Sequence, residues 1–215
     1  GLDYDGKEPL LAFGVAGTRM PVYPLKRFWP TFPAADVRPW VETHVSDGMV
    51  ERMVIAGNAA AANFRHEGPP MPDDGLSLDI ETSGTTLRPI ASLPAIRDAD
   101  VTVRIRGRAA TVNVGRGTVE VAPGRRLNVA GGVFEVPDTH PKPAPARANF
   151  RIDGSVPAAV VLLASEGLRD IVGLSLDPAS TRGTITAQVA VKLALARKMS
   201  DDSSSYTINA DLTNF

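Results

Sequence analysis

Val101-Thr102-Val103-Arg104-Ile105-Arg106 decides how this chain reads, because apolar and polar residues alternate with a period of two along the whole stretch. Successive side chains of an extended strand point to opposite faces, so Val101, Val103 and Ile105 share one face and Thr102, Arg104 and Arg106 the other. The same pattern continues in both directions. Upstream, Leu76, Leu78 and Ile80 alternate with Ser77, Asp79 and Glu81; downstream, Val112 and Val114 alternate with Thr111 and Asn113, and Val119 and Val121 flank Glu120. Each segment is antiparallel strand material with one apolar face. Turn chemistry marks the breaks, at Pro69-Pro70-Met71-Pro72-Asp73-Asp74-Gly75, Gly115-Arg116-Gly117, Pro123-Gly124 and Gly131-Gly132. Residues 49–137 therefore read as a β-meander.

Outside the meander the period changes twice. Residues 1–33 read as strands and a sheet edge: Leu11, Phe13 and Val15 alternate before Gly17, and prolines 21 and 24 interrupt an extended Met20 to Leu25. In residues 34–48, Val37, Trp40, Val41 and Val45 recur at three- and four-residue steps, which predicts a short amphipathic helix. Asp36 suits its N-cap, Pro39 its first turn and Gly48 its end. Residues 138–147, with Pro141, Pro143 and Pro145, predict a polyproline-type connector separating the meander from the last third.

In residues 148–215, Phe150 and Ile152 begin a strand. Pro157 then opens a second short helix over Ala158 to Ala164, ended near Gly167, although Val160-Val161-Leu162-Leu163 also fits a buried strand. Ile185, Ala187, Val189, Val191, Leu193 and Leu195 alternate without a break, and Tyr206, Ile208, Ala210 and Leu212 answer them across the polar tip Ser200 to Ser205: a long hairpin. Gly75-Leu76-Ser77-Leu78-Asp79 is echoed by Gly173-Leu174-Ser175-Leu176-Asp177. Coincidence of two similar strand starts accounts for that echo, while the order strands, helix, strands, helix, strands suggests a repeated unit.

Composition narrows the function classes. A chain of 215 residues has room for one large β-domain or two small ones, and 19 Gly with 18 Pro favours many turns. With 23 basic and 24 acidic side chains the net charge is −1, so no global field attracts nucleic acid. The absence of Cys removes disulfides, thiol catalysis and Cys-based zinc sites. No apolar run reaches the length of a membrane span, and Gly1-Leu2-Asp3-Tyr4-Asp5-Gly6 is neither a Met start nor a leader, so the chain is expected to be cut from a longer one.

No catalytic centre is legible. His44, His66 and His140 are far apart, with no spacing that pairs imidazoles around a metal, and no cofactor motif is present. Ser77 and Ser175 lack the second glycine of a nucleophile elbow, Asp79 and Asp177 standing in its place. Gly115-Arg116-Gly117 lacks the third glycine of a dinucleotide fingerprint and reads as a hairpin turn. Asp73-Asp74, Asp201-Asp202, and Asp98 with Asp100 are acid pairs of the kind a glycosidase uses, yet turn formation accounts for them. Arg104, Arg106 and Arg108 line one strand face near Arg97, Arg116, Arg125 and Arg126. That strip suits phosphate head groups, and equally an ordinary solvated face.

The two tryptophans are placed away from the sheet. Trp29 and Trp40 lie at or in the first helix, and Phe134 alone represents the aromatics between Leu76 and Val136. An aliphatic face packs a core or solvates hydrocarbon, and offers little to a polar ligand. At about 0.8 kcal/mol per CH₂, a sixteen-carbon acyl chain gains roughly 12 kcal/mol gross without any directional contact. The candidate hydrocarbon-facing residues are Leu76, Leu78, Ile80, Val101, Val103, Ile105, Val112, Val114, Val189, Val191 and Leu193, with Arg104, Arg106 and Arg108 as head-group candidates.

Pro24-Leu25-Lys26-Arg27-Phe28-Trp29-Pro30, followed by Ala35, Arg38, Trp40-Val41 and Gly48, resembles a recurring element of the AsmA-like superfamily, closest to its YhdP-type members. In the second half Gly154, Pro157-Ala158, Leu162-Leu163, Gly183 and Val191-Lys192-Leu193-Ala194-Leu195 are similar to the same family. There Ala194 stands where proline is usual, and Glu166-Gly167 replaces a common Pro-Leu.

The resemblance implies a mainly β fold: an antiparallel, strongly curved sheet forming an elongated open groove of the repeating β-groove type, with two short amphipathic helices. It further implies an interior segment of a periplasmic protein, tethered to the inner membrane of a Gram-negative envelope by a transmembrane helix outside this chain. Such a protein shields phospholipid acyl chains between the inner and outer membranes, joined to flanking repeats of the same longer chain and to envelope proteins. The competing expectations are a scaffold module, a β-sandwich whose apolar faces pack only on each other, and an envelope glycosidase.

Overall fold

The alternating segments pair in chain order into one antiparallel sheet. A computed structural model describes residues 2–4, 8–24, 37–65, 68–90, 92–166, 168–169, 176–195 and 205–214. Its strands are β1 (Leu2–Tyr4), β2 (Pro9–Pro21), β3 (Val45–Ser46), β4 (Met49–Ala60), β5 (Leu76–Leu87), β6 (Ile96–Arg106), β7 (Ala109–Ala122), β8 (Arg125–Val136), β9 (Ala144–Ser155), β10 (Thr184–Leu195) and β11 (Ser205–Thr213). Helix α1 (Val37–His44) precedes β3, α2 (Val156–Leu163) follows β9, and a single 3₁₀ turn spans Ala61–Phe64. The sheet runs β1-β2-β4-β5-β6-β7-β8-β9-β10-β11, with β3 pairing β5 outside that path. It is curved and does not close.

The curvature has a local cause. Arg19 in β2, Gly84 in β5, Asp98 in β6 and Gly131 in β8 all have positive φ, and the pairings beside Glu51, Gly84 and Gly131 shift register. Gly131 lies opposite Gly115, between the pairs Val114↔Gly132 and Arg116↔Ala130. Extra residues in a ladder bend the strand and increase its twist, and glycine adopts φ near +60° without the Cβ penalty. These irregularities occur at neighbouring register positions on successive strands, so the sheet bends along a line. Crossing that line exchanges odd for even: β7 turns Val112 and Val114 to the apolar face on one side, and Gly117 and Val119 on the other.

This corrects two expectations. Gly115-Arg116-Gly117 is not a hairpin turn, and Gly131-Gly132 is not a break between strands; both lie inside long strands, β7 and β8, where they bend the ladder. The β7–β8 hairpin turns instead at Pro123-Gly124.

The proline-rich connector does not separate two sheets. β9 begins at Ala144 and pairs with both β8 and β10, so the sheet is continuous through it. Pro145 is accommodated because the β8 pairing stops at Glu135↔Arg147, leaving Pro145 with a ladder partner only on the β10 side, at Ala194.

The helices cover different parts of the sheet. The Ser155 hydroxyl accepts the Ala158 N–H at 3.3 Å as the N-cap of α2, and Pro157 sits in the first turn, where a missing donor costs nothing. Small Ala158 and Ala159 let α2 lie close on Val119, Leu127 and Val129. The Val160 to Leu163 run is helix, not strand. Val41 of α1 and Val45 of β3 pack on the cluster of Val50, Met53, Ile55 and Ile80. Gly48, at φ +97°, turns β3 into β4 and does not end α1 directly; Asp36 lies outside the described residues.

The predicted hairpin forms as β10 and β11, with Val191↔Tyr206, Val189↔Ile208 and Ile185↔Leu212 in register. The two echoed pentapeptides are not equivalent. Leu76 opens β5, whereas Leu176 and Asp177 precede a turn in non-strand chain, and residues 173–175 lie outside the described residues.

Candidate functional site

All eleven hydrocarbon-facing candidates fall on one face. Register carries that face across nine strands in a single row: Tyr206, Val191, Ala148, Phe134, Val112, Val103, Ile80, Met53 and Gly17. Leu78 and Ile105 stand in the next row, with Val101 and Val114 on the other side of it and Leu76 beyond Leu78. Val189 pairs Phe150 and Leu193 pairs Ala146.

Burial along the row is graded. At its α1 end Ile80 is 2% exposed; Leu127, 1% exposed beneath α2, stands in another row, with Gly154, Ile185 and Leu212. Phe64 and Met71 bury Leu76 in the same way, with the Phe13 and Phe64 rings tilted at 5.8 Å between centroids. Onward from Ile80 the row residues Val103, Val112, Phe134, Ala148 and Val191 are only half-buried, as is Val189 beside them. On β11 Tyr206 and Ile208 are 52% and 46% exposed. The candidates thus divide: Leu76, Leu78, Ile80, Val101 and Val114 are core, and Val103, Ile105, Val112, Val189, Val191 and Leu193 form a half-exposed aliphatic strip.

The head-group candidates lie on the opposite face or in a turn. Arg104 and Arg106 both reach Asp79, at 3.2 and 2.7 Å, and Arg108, in the β6–β7 turn, approaches Asp73 at 3.4 Å and Asp138 at 3.7 Å. Partial burial raises the Asp79 pKa, but the hydrogen bonds from Arg106 and Arg104 outweigh it and hold the carboxyl below its ordinary value. The pattern continues on this face: Arg116 pairs with Asp100 at 2.7 Å, Arg147 with Glu135, and Arg151 with Asp153 at 2.7 Å. The Arg151 hydrogen bond, with a second from the Thr186 hydroxyl, lowers the Asp153 pKa. These arginines are engaged by carboxylates across and along strands, the arrangement of a solvated face.

Trp29 and His66 lie outside the described residues, as do Asp201 and Asp202. Asp98 and Asp100 sit inside β6 and do not begin it. Among the described residues no cluster of three or more His, Asp or Glu is placed to hold a metal, and no helix is long and apolar enough to cross a membrane. Comparison of the chain with protein-family models, curated proteins and solved structures finds no match.

Proposed function

We propose that the chain is a non-catalytic lipid-handling segment whose aliphatic strip shields phospholipid acyl chains. The observation that carries this reading is the register row, in which apolar side chains follow one another across eight strands, from Met53 to Tyr206, and are only half-buried from Val103 to Val191. An ordinary single-sided sheet buries that face under a second layer. Here the α1 cluster covers the row at Ile80 and Met53, α2 covers a separate row around Leu127, and Val103 to Val191 run as continuous hydrocarbon with no directional partner for a polar ligand. On this reading the curvature of the unclosed sheet turns this face into the lining of a groove. The resemblance to the AsmA-like superfamily supplies the setting: a piece of a longer periplasmic protein, anchored in the inner membrane outside this chain, moving phospholipid towards the outer membrane.

The test is lipid mass spectrometry of the purified chain after organic extraction, with photo-reactive acyl probes to map the strip. Co-purifying phospholipid and labelling at Val103, Ile105 and Val191 are expected. Val112→Lys, which puts a charge in mid-strip, lowers the lipid recovered about tenfold or more, on the scale of a buried unpaired charge. An extract free of lipid overturns the reading. The deep burial of Ile80 and Leu127 supports a second one, a scaffold module whose apolar face serves only for packing. Labelling confined to β11, or absent, favours it.

A further inference from the structure

The short β3–β5 ladder builds a polar site that the lipid reading does not use. Val45 pairs Leu87 and Ser46 pairs Thr86, and the Arg88 N–H donates to the His44 carbonyl at 2.7 Å, which extends the ladder by one more pair. Alternation then sorts the side chains. Val45 and Leu87 turn inward to the apolar clusters. His44, Ser46, Thr86 and Arg88 turn to the other side, as two cross-strand pairs stacked along the ladder. With Thr43 and Ala95 they line an open cleft of about 290 Å³.

The lining has one guanidinium, one imidazole, three hydroxyls and no carboxylate. The acids nearest in sequence, Glu42 and Asp47, are not part of it. Elsewhere on the polar face the arginines at 52, 104, 106, 116, 147 and 151 each meet a carboxylate; Arg88, like Arg97 and Arg126, meets none among the described residues, and it alone of these three lines the cleft. A fixed charge left unneutralised beside hydroxyls on two facing strands is a donor set for an oxyanion. A tetrahedral anion accepts from donors on both strands and from the guanidinium fork together, more than a planar carboxylate takes up.

We infer that this cleft binds a phosphate group, with Arg88 supplying charge and paired donors and Ser46 and Thr86 supplying direction. The group belongs either to a phospholipid head or to a soluble phosphate, and the test separates them. Titrating the whole chain with inorganic phosphate, followed by ¹H–¹⁵N spectra, shifts the amides of residues 43–46 and 86–88 saturably. Arg88→Gln weakens binding about tenfold or more, and Ser46→Ala with Thr86→Val about three- to tenfold, on the scale of charge-assisted and neutral hydrogen bonds respectively. Arg126→Gln, a surface arginine on β8, leaves it unchanged, and spectra of each variant report that it is folded.

Dihexanoylphosphatidylglycerol below its micelle concentration binding more tightly than inorganic phosphate, and weakened in parallel by Arg88→Gln, assigns the site to a lipid head group. Equal or weaker binding, still sensitive to Arg88→Gln, assigns it to soluble phosphate. Acetate competing as well as phosphate, shifts that do not saturate, or an Arg88→Gln variant of unchanged affinity overturns the inference. Inorganic phosphate has no acyl chain and Val112→Lys lies on the opposite face, so the cleft and the aliphatic strip succeed or fail independently.

Discussion

β6 and β11 carry the same alternation and meet different fates. Ala99 and Val101 of β6 are buried, whereas every residue of β11 is exposed on both faces, including Tyr206, Ile208 and Leu212. The difference lies in the neighbours. β6 is flanked by β5 and β7, and its apolar side chains pack with Val114 and Leu87. β11 pairs only with β10 among the described residues. Alternation specifies a strand and the face it presents; burial is decided by position in the sheet and by what lies above that face.

Leu127 and Leu212 put the contrast in one register row, through Leu127↔Gly154, Gly154↔Ile185 and Ile185↔Leu212. Leu127→Ala, beneath α2 at 1% exposure, is expected to lower the unfolding free energy by about 3 kcal/mol in urea titrations. Leu212→Ala, at 49% exposure, costs less than about 1 kcal/mol. Equal losses would erase the distinction between covered and open hydrocarbon.

Ser155→Ala sharpens it from the helix side. Loss of the cap to Ala158 costs about 1 kcal/mol and exposes the Leu127 corner more often, which amide exchange in α2 and β8 detects. An α2 whose exchange is unchanged by the variant would mean the cap does not hold it down.

The smallest effect belongs to the polar face. Because the folded-state pKa of Asp79 lies below its ordinary value, its contribution is present above the unfolded pKa, near 4, and is lost as pH falls through the folded pKa. Asp79→Asn therefore costs about 1 kcal/mol at pH near 7 and nothing once both states are protonated. Unfolding curves of the two proteins should converge in acid. A gap that persists at low pH would assign the loss to packing.

Much of this architecture is readable in the alternation itself. Every strand from β5 to β7 contains a predicted apolar set, the β10–β11 hairpin matches, and both helices occur where the period changes. The glycines misled, since a glycine inside a strand and a glycine in a turn are the same letter. Val114 to Val119 is an odd step in an even pattern, and that step is the trace in the sequence of the line along which the face changes. Pro145 reads as a breaker because its one-sided pairing depends on where β8 stops. The arginine strip shows Arg104 and Arg106 on one face, but Asp79, on the neighbouring strand, decides what they do. The cleft at Arg88 has no linear signature. Its donors come from the end of α1, β3 and the end of β5, brought together only by pairing.

The half-exposed row from Val103 to Tyr206 crosses five gaps between neighbouring strands, about 24 Å at ~4.8 Å per gap. One leaflet's share of a ~30 Å hydrocarbon core is about 15 Å, the depth a single acyl chain spans. On the proposed reading a chain lying along this row is shorter than the row, and the steps between strands are chemically alike. Occupancy is then degenerate: a bound chain has several positions of nearly equal energy and no unique seat. Acyl-probe labelling should spread over β6 to β10, and a ligand distributed in this way passes from strand to strand without leaving hydrocarbon.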